Sequence, residues 1–367
     1  MNLGTVAELF ERNFAELGEV GASLSIWHEG REVLGLAGGH RDRERLLPWT
    51  ADTPVLVWSA TKGPASACLL HACQEHGVSL DAPVAECWPE FAAAGKARVT
   101  IAQVLSHQAG LAVLSTPVPV EDHAAVVAAL VAETPHWPPG SAHGYHPRTM
   151  GFLADELVRR IAGVTLGEYW RRDLAGPCGW SFWIGMNDAH KEGVAPILAA
   201  RSLPPSDDGF YREMGRAGSF TQRAFTSPRG LHSVSAMNTP DARTASLPAF
   251  GGIGTAHGLG AFYSELATGD LFQQPMKAAM ETTLVDGPDR VLLMPTAFSA
   301  GFMKDPAGKA RRTFGPSSRA FGQPGAGGSL AFADPENGMS FAYVMNQMEP
   351  GVMPGEKALR LVRALYS

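Results

Sequence analysis

A chain of 367 residues, 45% apolar and 18% charged, has the composition of a globular protein and enough length for a large core spread over more than one lobe. Its net charge of −6, with no Lys/Arg cluster interleaved with aromatics, argues against nucleic acid as a partner and against an anionic membrane surface. Four cysteines, Cys68, Cys73, Cys87 and Cys178, form no C-x-x-C pair and no regular framework, which fits free thiols in a reducing compartment.

The first segment, MNLGTVAELFERNFAELG, carries Glu8, Glu11 and Glu16 and has no apolar h-region, so it does not read as a secretory leader. Leu3, Val6, Phe10, Phe14 and Leu17 fall on one helical face, which predicts a packed first helix. No apolar run approaches the length of a membrane span, and the expected location is the cytoplasm. In GASLSIWHEGREVLGLAGG two alternating runs flank His28-Glu29-Gly30, the pattern of a β-hairpin. PVLVWS is an extended lead into Ser59. From Ser59 to about His76 the pattern turns helical, with Ala65, Cys68, Leu69, Ala72 and Cys73 on one face and Gly77 as the stop.

Residues 85–235 differ. RVTIAQVLSH, EDHAAVVAALVAE and RTMGFLADELVRRIAG are helical segments joined by connections such as HWPPGSAHG. Residues 200–250, rich in Pro, Ser, Gly and Asp with weak periodicity, read as long loops near a site. GGIGTAHGLG at 251–260 predicts a helix start against the site, with Gly252 and Gly254 allowing close approach. The last third returns to strands in RAFGQPGAGGSLAFADPENGMSFAYVMNQM, where Asp334-Pro335-Glu336-Asn337-Gly338 signals a hairpin. GEKALRLVRALYS is a closing helix. The expected fold class is therefore mixed α/β: residues 1–84 together with 236–367 form one lobe, 85–235 form a mostly helical lobe inserted into it, and a cleft lies between them.

VWSATKGP places Ser59 three residues before Lys62, hence on one helical face. A serine at a helix N-terminus sits where backbone N–H groups favour developing negative charge, and a lysine kept neutral can take its proton. The same spacing also serves an N-cap serine followed by a solvated lysine, and Pro64 is awkward inside a helix counted from Ser59. Two further stretches bear on the choice. HGYHP puts Tyr145 at a loop-to-helix junction, where it can face a cleft or pack in the core. FGQPGAGGS is a strand of small residues that either admits a substrate backbone closely or forms a tight corner. Trp180, Trp183, Phe210 and Tyr211 are candidate cleft walls, with core packing the alternative for each.

In that order, S-x-x-K, the tyrosine and the Gly-rich strand resemble the serine β-lactamase and penicillin-binding-protein superfamily, and most of all its class C-like branch, which holds the family VIII carboxylesterases. VLSHQAGL at 104–111 is similar to a segment common in that branch. The resemblance runs from about residue 20 to the C-terminus. It implies a β-lactamase-like fold, with an antiparallel sheet flanked by helices. It implies Ser59 as acylated nucleophile, Lys62 and Tyr145 as the proton-handling pair with either able to act as base, and an oxyanion hole from the N–H groups of Ser59 and Ala326. Gln323, Gly325 and His146 are the expected substrate-binding positions. Neither metal nor organic cofactor is implied, and His143 and His146 lack the grouping of a metal site; His107 reads as a structural hydrogen-bonding residue. Two positions depart from the pattern: Pro147 where relatives carry Asn, and Gln323 where they carry Lys or His. A neutral residue at 323 fits an uncharged ester better than a carboxylate-bearing lactam or peptide, and it removes a positive charge near Tyr145 and Lys62. The expected activity is ester hydrolysis through an acyl-serine, on a small-molecule ester. β-Lactamase or D-amino-acid peptidase activity, acyl transfer to an alcohol, and a silent ligand-binding homologue are the alternatives.

Overall fold

The hairpin expected near residue 29 forms with strands β1 (Gly21–His28) and β2 (Arg31–Gly39). Both turn residues, Glu29 and Gly30, have positive φ (49° and 75°), the two-residue geometry that matches strand twist. The structure, a computed structural model, describes residues 1–186, 193–202, 209–308 and 312–367. Its remaining strands are β3 (Val55–Leu56), β4 (Phe182–Trp183), β5 (Ile253–Gly254), β6 (Val285–Pro288), β7 (Pro295–Phe298), β8 (Met303–Lys304), β9 (Phe321–Pro324), β10 (Leu330–Asp334) and β11 (Met339–Met345). Eight of them make one antiparallel sheet in the order β2-β1-β11-β10-β9-β8-β7-β6, and β3-β5-β4 make a small second sheet. The large sheet thus draws its strands from both ends of the chain, and β1 pairs with β11 from Ala22↔Met345 to His28↔Met339.

Period-2 alternation gives the sheet two unlike faces. Leu24, Ile26, Phe332, Phe341 and Tyr343 pack with Val6 and Phe10 of the first helix (Leu3–Glu16) and with Leu361 and Leu365 of the last (Glu356–Leu365). The intervening Ala331, Ala333, Ala342 and Val344 belong to the other core, with the helix Ala256–Thr268 and the central helix Lys62–Glu75. Small side chains on that face let the helix come close: a Cβ at Gly260 would lie 2.7 Å from Ser25 Oγ.

The central helix is buried on all sides from Lys62 to Cys73, as expected of a helix without a polar face. It stops at His76, with Gly77 at φ 66°. A short 3-10 turn, Trp58–Thr61, precedes it. Because the α-helix starts at Lys62, Pro64 falls in its first turn, where no intrahelical N–H is needed; counting the helix from Ser59 made this proline seem out of place. In the middle of the chain, Ile101–Leu105 carries a capping box between Thr100 and Gln103, and Thr149–Ala162 ends at Gly163 with φ 76°. His123–Ala132 is the third expected helix.

The reading of 200–250 as long loops is corrected. Four short helices stand there: Gly209–Gly215, Phe220–Thr226, Val234–Met237 and Pro240–Thr244. Ser219, Ser233 and Thr239 cap the last three by accepting from backbone N–H groups. Helices of four to seven residues complete at most two turns, too few for periodicity to register. Residues 203–208 of that stretch lie outside the described residues.

Candidate active site

Ser59 sits in the 3-10 turn between β3 and the central helix, half-buried. Trp58 before it holds φ 48°, a left-handed conformation uncommon for a bulky residue. The turn is braced from β5: Val57 N–H donates to Gly252 O at 3.0 Å, and Gly252 N–H donates to Thr61 Oγ1 at 2.8 Å. Gly252 is required there, since a Cβ would lie 2.7 Å from Thr61 Oγ1 and 2.5 Å from Phe182. The helix beginning at Ala256 follows, as expected from 251–260.

Lys62 lies one turn on, with no exposed surface. Its Nζ donates to Pro147 O at 2.8 Å and Ala249 O at 2.7 Å, and stands 3.4 Å from Ser59 Oγ. Burial, and then the Arg148 guanidinium, hold the amine well below its ordinary pKa. A neutral amine has two hydrogens and one lone pair. Two carbonyls accept the hydrogens, which leaves the lone pair for the third neighbour, the Ser59 hydroxyl.

Tyr145 lies 83 residues further along the sequence, yet Lys62 Nζ is 4.7 Å from its ring centroid. Burial raises the phenol above its ordinary pKa, against a hydrogen bond with Ser59 that lowers it. Gln323 on β9 donates from Nε2 to the phenol oxygen at 3.2 Å. Ser59, Tyr145 and Gln323 line a narrow recess, and Ala326 closes it. Among the described residues neither the Ser59 nor the Ala326 N–H has a protein partner.

Two expectations are corrected. His146 does not face the site: it is buried, its Nδ1 donates to Gly144 O at 2.7 Å, and its Nε2 accepts from Leu111 N–H at 2.9 Å. Burial pushes it down to about 3, so the ring is neutral and its nitrogens are used in holding the loop. Gly325 admits protein backbone rather than substrate: a Cβ there would lie 2.1 Å from Val57 O. The strand end is thereby pressed against the residue two before Ser59. His107 is structural, as expected. Its Nδ1 accepts from His146 N–H at 3.1 Å, and its ring packs 4.9 Å from Tyr145. His143 turns away to Thr296. Trp180 and Trp183 border a separate recess, and Phe210 packs in the core.

A larger cavity of about 250 Å³ opens from Ser59, walled by Trp58, Phe225, Phe250, Met348 and Val352, with Arg148 at its side. Three functional elements escaped the sequence reading. The apolar wall at Phe225 and Val234 comes from the short helices. Arg148 joins the cavity. Asp289, 2% exposed, accepts from Tyr145 N–H, Val291 N–H, Leu292 N–H and Thr296 Oγ1, and so fixes the backbone that carries the tyrosine. No local pattern marks Asp289, whose partner Tyr145 is 144 residues away.

The Beta-lactamase family profile matches residues 7–365. Among curated proteins, the chain is 31% identical over 347 residues to "Esterase/beta-lactamase LipL" of Mycobacterium tuberculosis, covering 89% of this chain and 77% of that protein. Among solved structures, a "Novel Penicillin-Binding Protein (PBP) Homolog from Caulobacter crescentus" is 36% identical, with a TM-score of 0.89 over 99% of this chain and 96% of that one. A "family VIII carboxylesterase" is 33% identical, with a TM-score of 0.88 and coverage of 99% and 96%. With a family match over nearly its whole length, and with the antiparallel sheet flanked by helices that the resemblance implied, this chain belongs to the β-lactamase family, within the β-lactamase and penicillin-binding-protein superfamily of hydrolases.

Proposed function

We propose that this protein is a serine carboxylesterase working through an acyl-Ser59 intermediate. The observation that carries the reading is the Lys62 amine: it is buried, its two hydrogens are held by the Pro147 and Ala249 carbonyls, and Ser59 Oγ stands 3.4 Å away. In this reading Ser59 O–H passes its proton to Nζ as Oγ attacks the ester carbonyl carbon. The N–H groups of Ser59 and Ala326 receive the oxyanion. As the tetrahedral intermediate collapses, the leaving alkoxide takes the phenol proton of Tyr145, which stays protonated because burial raises its pKa. The Lys62 ammonium gives up its proton as the phenol is restored. Water then repeats the sequence on the acyl-enzyme and releases the acid.

Lys62, rather than Tyr145, is the base in this scheme, since burial favours the neutral form of both groups. The esterase reading draws support from relatives described as an esterase and a carboxylesterase. It also fits the apolar cavity and the neutral Gln323, whose amide is turned to Tyr145. A cavity of about 250 Å³ suits an uncharged ester with one compact apolar group, and the narrow recess by Gln323 suits a small one.

The test is a paired assay of wild type and Ser59→Ala on a short-chain p-nitrophenyl ester and a chromogenic cephalosporin, with fluorophosphonate labelling alongside. The expected result is ester turnover and labelling in wild type, both lost in the variant, with little lactam turnover. Dominant Ser59-dependent lactam turnover would make the protein a β-lactamase, and absence of labelling would make it a silent homologue.

A further inference from the structure

We propose that Arg148 is a positioning residue for Lys62: a permanent cation fixed beside the cavity, it acts together with burial on the Lys62 amine, in the role that a neutral Gln323 leaves vacant. This rests on the reading of Lys62 as general base and specifies what makes that base available.

Arg148 is 4% exposed and borders the same cavity as Ser59. Its terminal nitrogens donate to the carbonyls of Leu231 at 3.2 Å and Gly230 at 2.5 Å. The guanidinium carbon stands 4.3 Å from the centroid of the Phe250 ring. Nε is buried without a hydrogen-bond partner, and among the described residues no carboxylate lies within ion-pair distance. Exposed Glu121, next to Gly230, is the acid that faces it electrostatically. A buried cation without an acidic partner is costly, so its retention against the site wants a reason.

Lys62 is in the same position, wholly buried among carbonyls and a hydroxyl. Its Nζ donates to Pro147 O, the residue preceding Arg148, so one stretch of backbone sets both groups. Burial comes first in disfavouring the Lys62 ammonium, and the Arg148 cation, with no carboxylate at ion-pair distance among the described residues to offset it, adds to that. Guanidinium holds its proton far more firmly than an ammonium does. Burial pushes Arg148 down only to about 10, and it stays charged at neutral pH. Lysine therefore yields. The other groups facing Lys62 bring no negative charge: Tyr145 is a protonated phenol, and His107 and His146 are held neutral by burial. One hydrogen on each terminal nitrogen of Arg148 is held by a backbone carbonyl, and Nε is covered.

The experiment is the pH profile of kcat/KM on a neutral p-nitrophenyl ester for wild type, Arg148→Gln, Arg148→Lys and Lys62→Ala. Arg148→Gln is expected to move the midpoint of the acidic limb upward by about one pH unit. It then costs roughly tenfold in rate below the limb and recovers at alkaline pH. Arg148→Lys, whose ammonium holds its proton less firmly than the guanidinium, is expected to give a midpoint between those of wild type and Arg148→Gln. Should Arg148→Gln fail to fold, Arg148→Met, which also removes the charge but keeps an apolar contact with Phe250, carries the test with the same sign. Equal loss at every pH with an unmoved midpoint in Arg148→Gln, or in Arg148→Met where the first variant does not fold, overturns the proposal. So does an effect confined to the KM of carboxylate-bearing esters, which would make Arg148 an anion-binding residue. Full activity in Lys62→Ala would instead overturn the base assignment itself, so the two failures are distinguishable.

Discussion

A lysine that serves as a base needs somewhere to put its two hydrogens. Here the carbonyls of Pro147 and Ala249 take them, at 2.8 and 2.7 Å. Lys62→Ala should lower kcat by about a thousandfold or more, and Tyr145→Phe by about a hundred- to ten-thousandfold, with the melting temperature near wild type in Tyr145→Phe; steady-state kinetics and a thermal melt check both. The sign with pH follows from the shifts. Lys62 has a depressed pKa, so activity falls as pH drops through that value and the lone pair is lost. Tyr145 has a raised pKa, so its deprotonation should bring no alkaline fall at or below the ordinary phenol range. A profile falling from pH 8 to 9 would contradict this. Asp289 makes a third residue-scale case. Asp289→Ala strands the N–H groups of Tyr145, Val291 and Leu292 and the Thr296 hydroxyl. It should cost about 2–4 kcal/mol of stability and reduce turnover through the displaced tyrosine, measured by denaturant unfolding and by kcat.

Elements meet at the site through glycines that have no room for a side chain. β9 ends against the segment before Ser59, with Gly325 facing Val57 O, and β5 is flanked by Gly252 against Thr61. A Cβ at 325 would meet backbone at 2.1 Å, so either the strand end or the nucleophile turn must move. Gly325→Ala should therefore lose at least about tenfold in kcat, since small misplacements of reacting groups are expensive, while its far-ultraviolet circular dichroism stays that of wild type. Wild-type kcat in this variant would show that the contact does not position Ser59. At this scale the sequence was legible where periodicity had length to act: the hairpin at Glu29-Gly30 and the helices Lys62–Glu75, His123–Ala132 and Thr149–Ala162 follow their patterns. It failed at 209–244, where short capped helices were hidden in loop-like composition. That segment supplies Phe225 and Val234, so the cavity wall was hidden with it.

Across the whole molecule, the two ends of the chain are joined by a buried polar cluster. Glu19, before β1, accepts from Tyr343 of β11 at 2.5 Å, and its carboxylate lies 3.2 Å from Lys357 Nζ in the last helix. Both charged residues are almost wholly buried. Asn13 of the first helix donates to Lys357 O. Such a pair does little for net stability as a unit, yet breaking it leaves one charge stranded. Lys357→Met and Glu19→Gln should each destabilise, Lys357→Met by about 3–5 kcal/mol. The double variant should recover part of the sum in a double-mutant cycle; strict additivity would show that the two groups do not interact. The activity of surviving folded protein should be little changed, because the cluster lies apart from Ser59 and its cavity.

The local features of this protein were determined by its sequence alone. Hydrophobic alternation set the strands, turn residues set the hairpin, and the three-residue step from Ser59 to Lys62 put hydroxyl and amine on one side of a turn. Those interactions span a few residues, so the spacing of side chains along one element encodes them. Tyr145, Gln323 and Ala326 were tied to Ser59 only through resemblance, because nothing local links them to it. Tertiary structure alone decided which way His146 and Gly325 face, that Asp289 anchors Tyr145, and that Arg148 is buried at the cavity with no carboxylate at ion-pair distance among the described residues. The lowered pKa of Lys62 follows first from its burial and then from the Arg148 charge. Burial and neighbouring charge arise only when segments separated by 85 to 187 residues are packed around one amine.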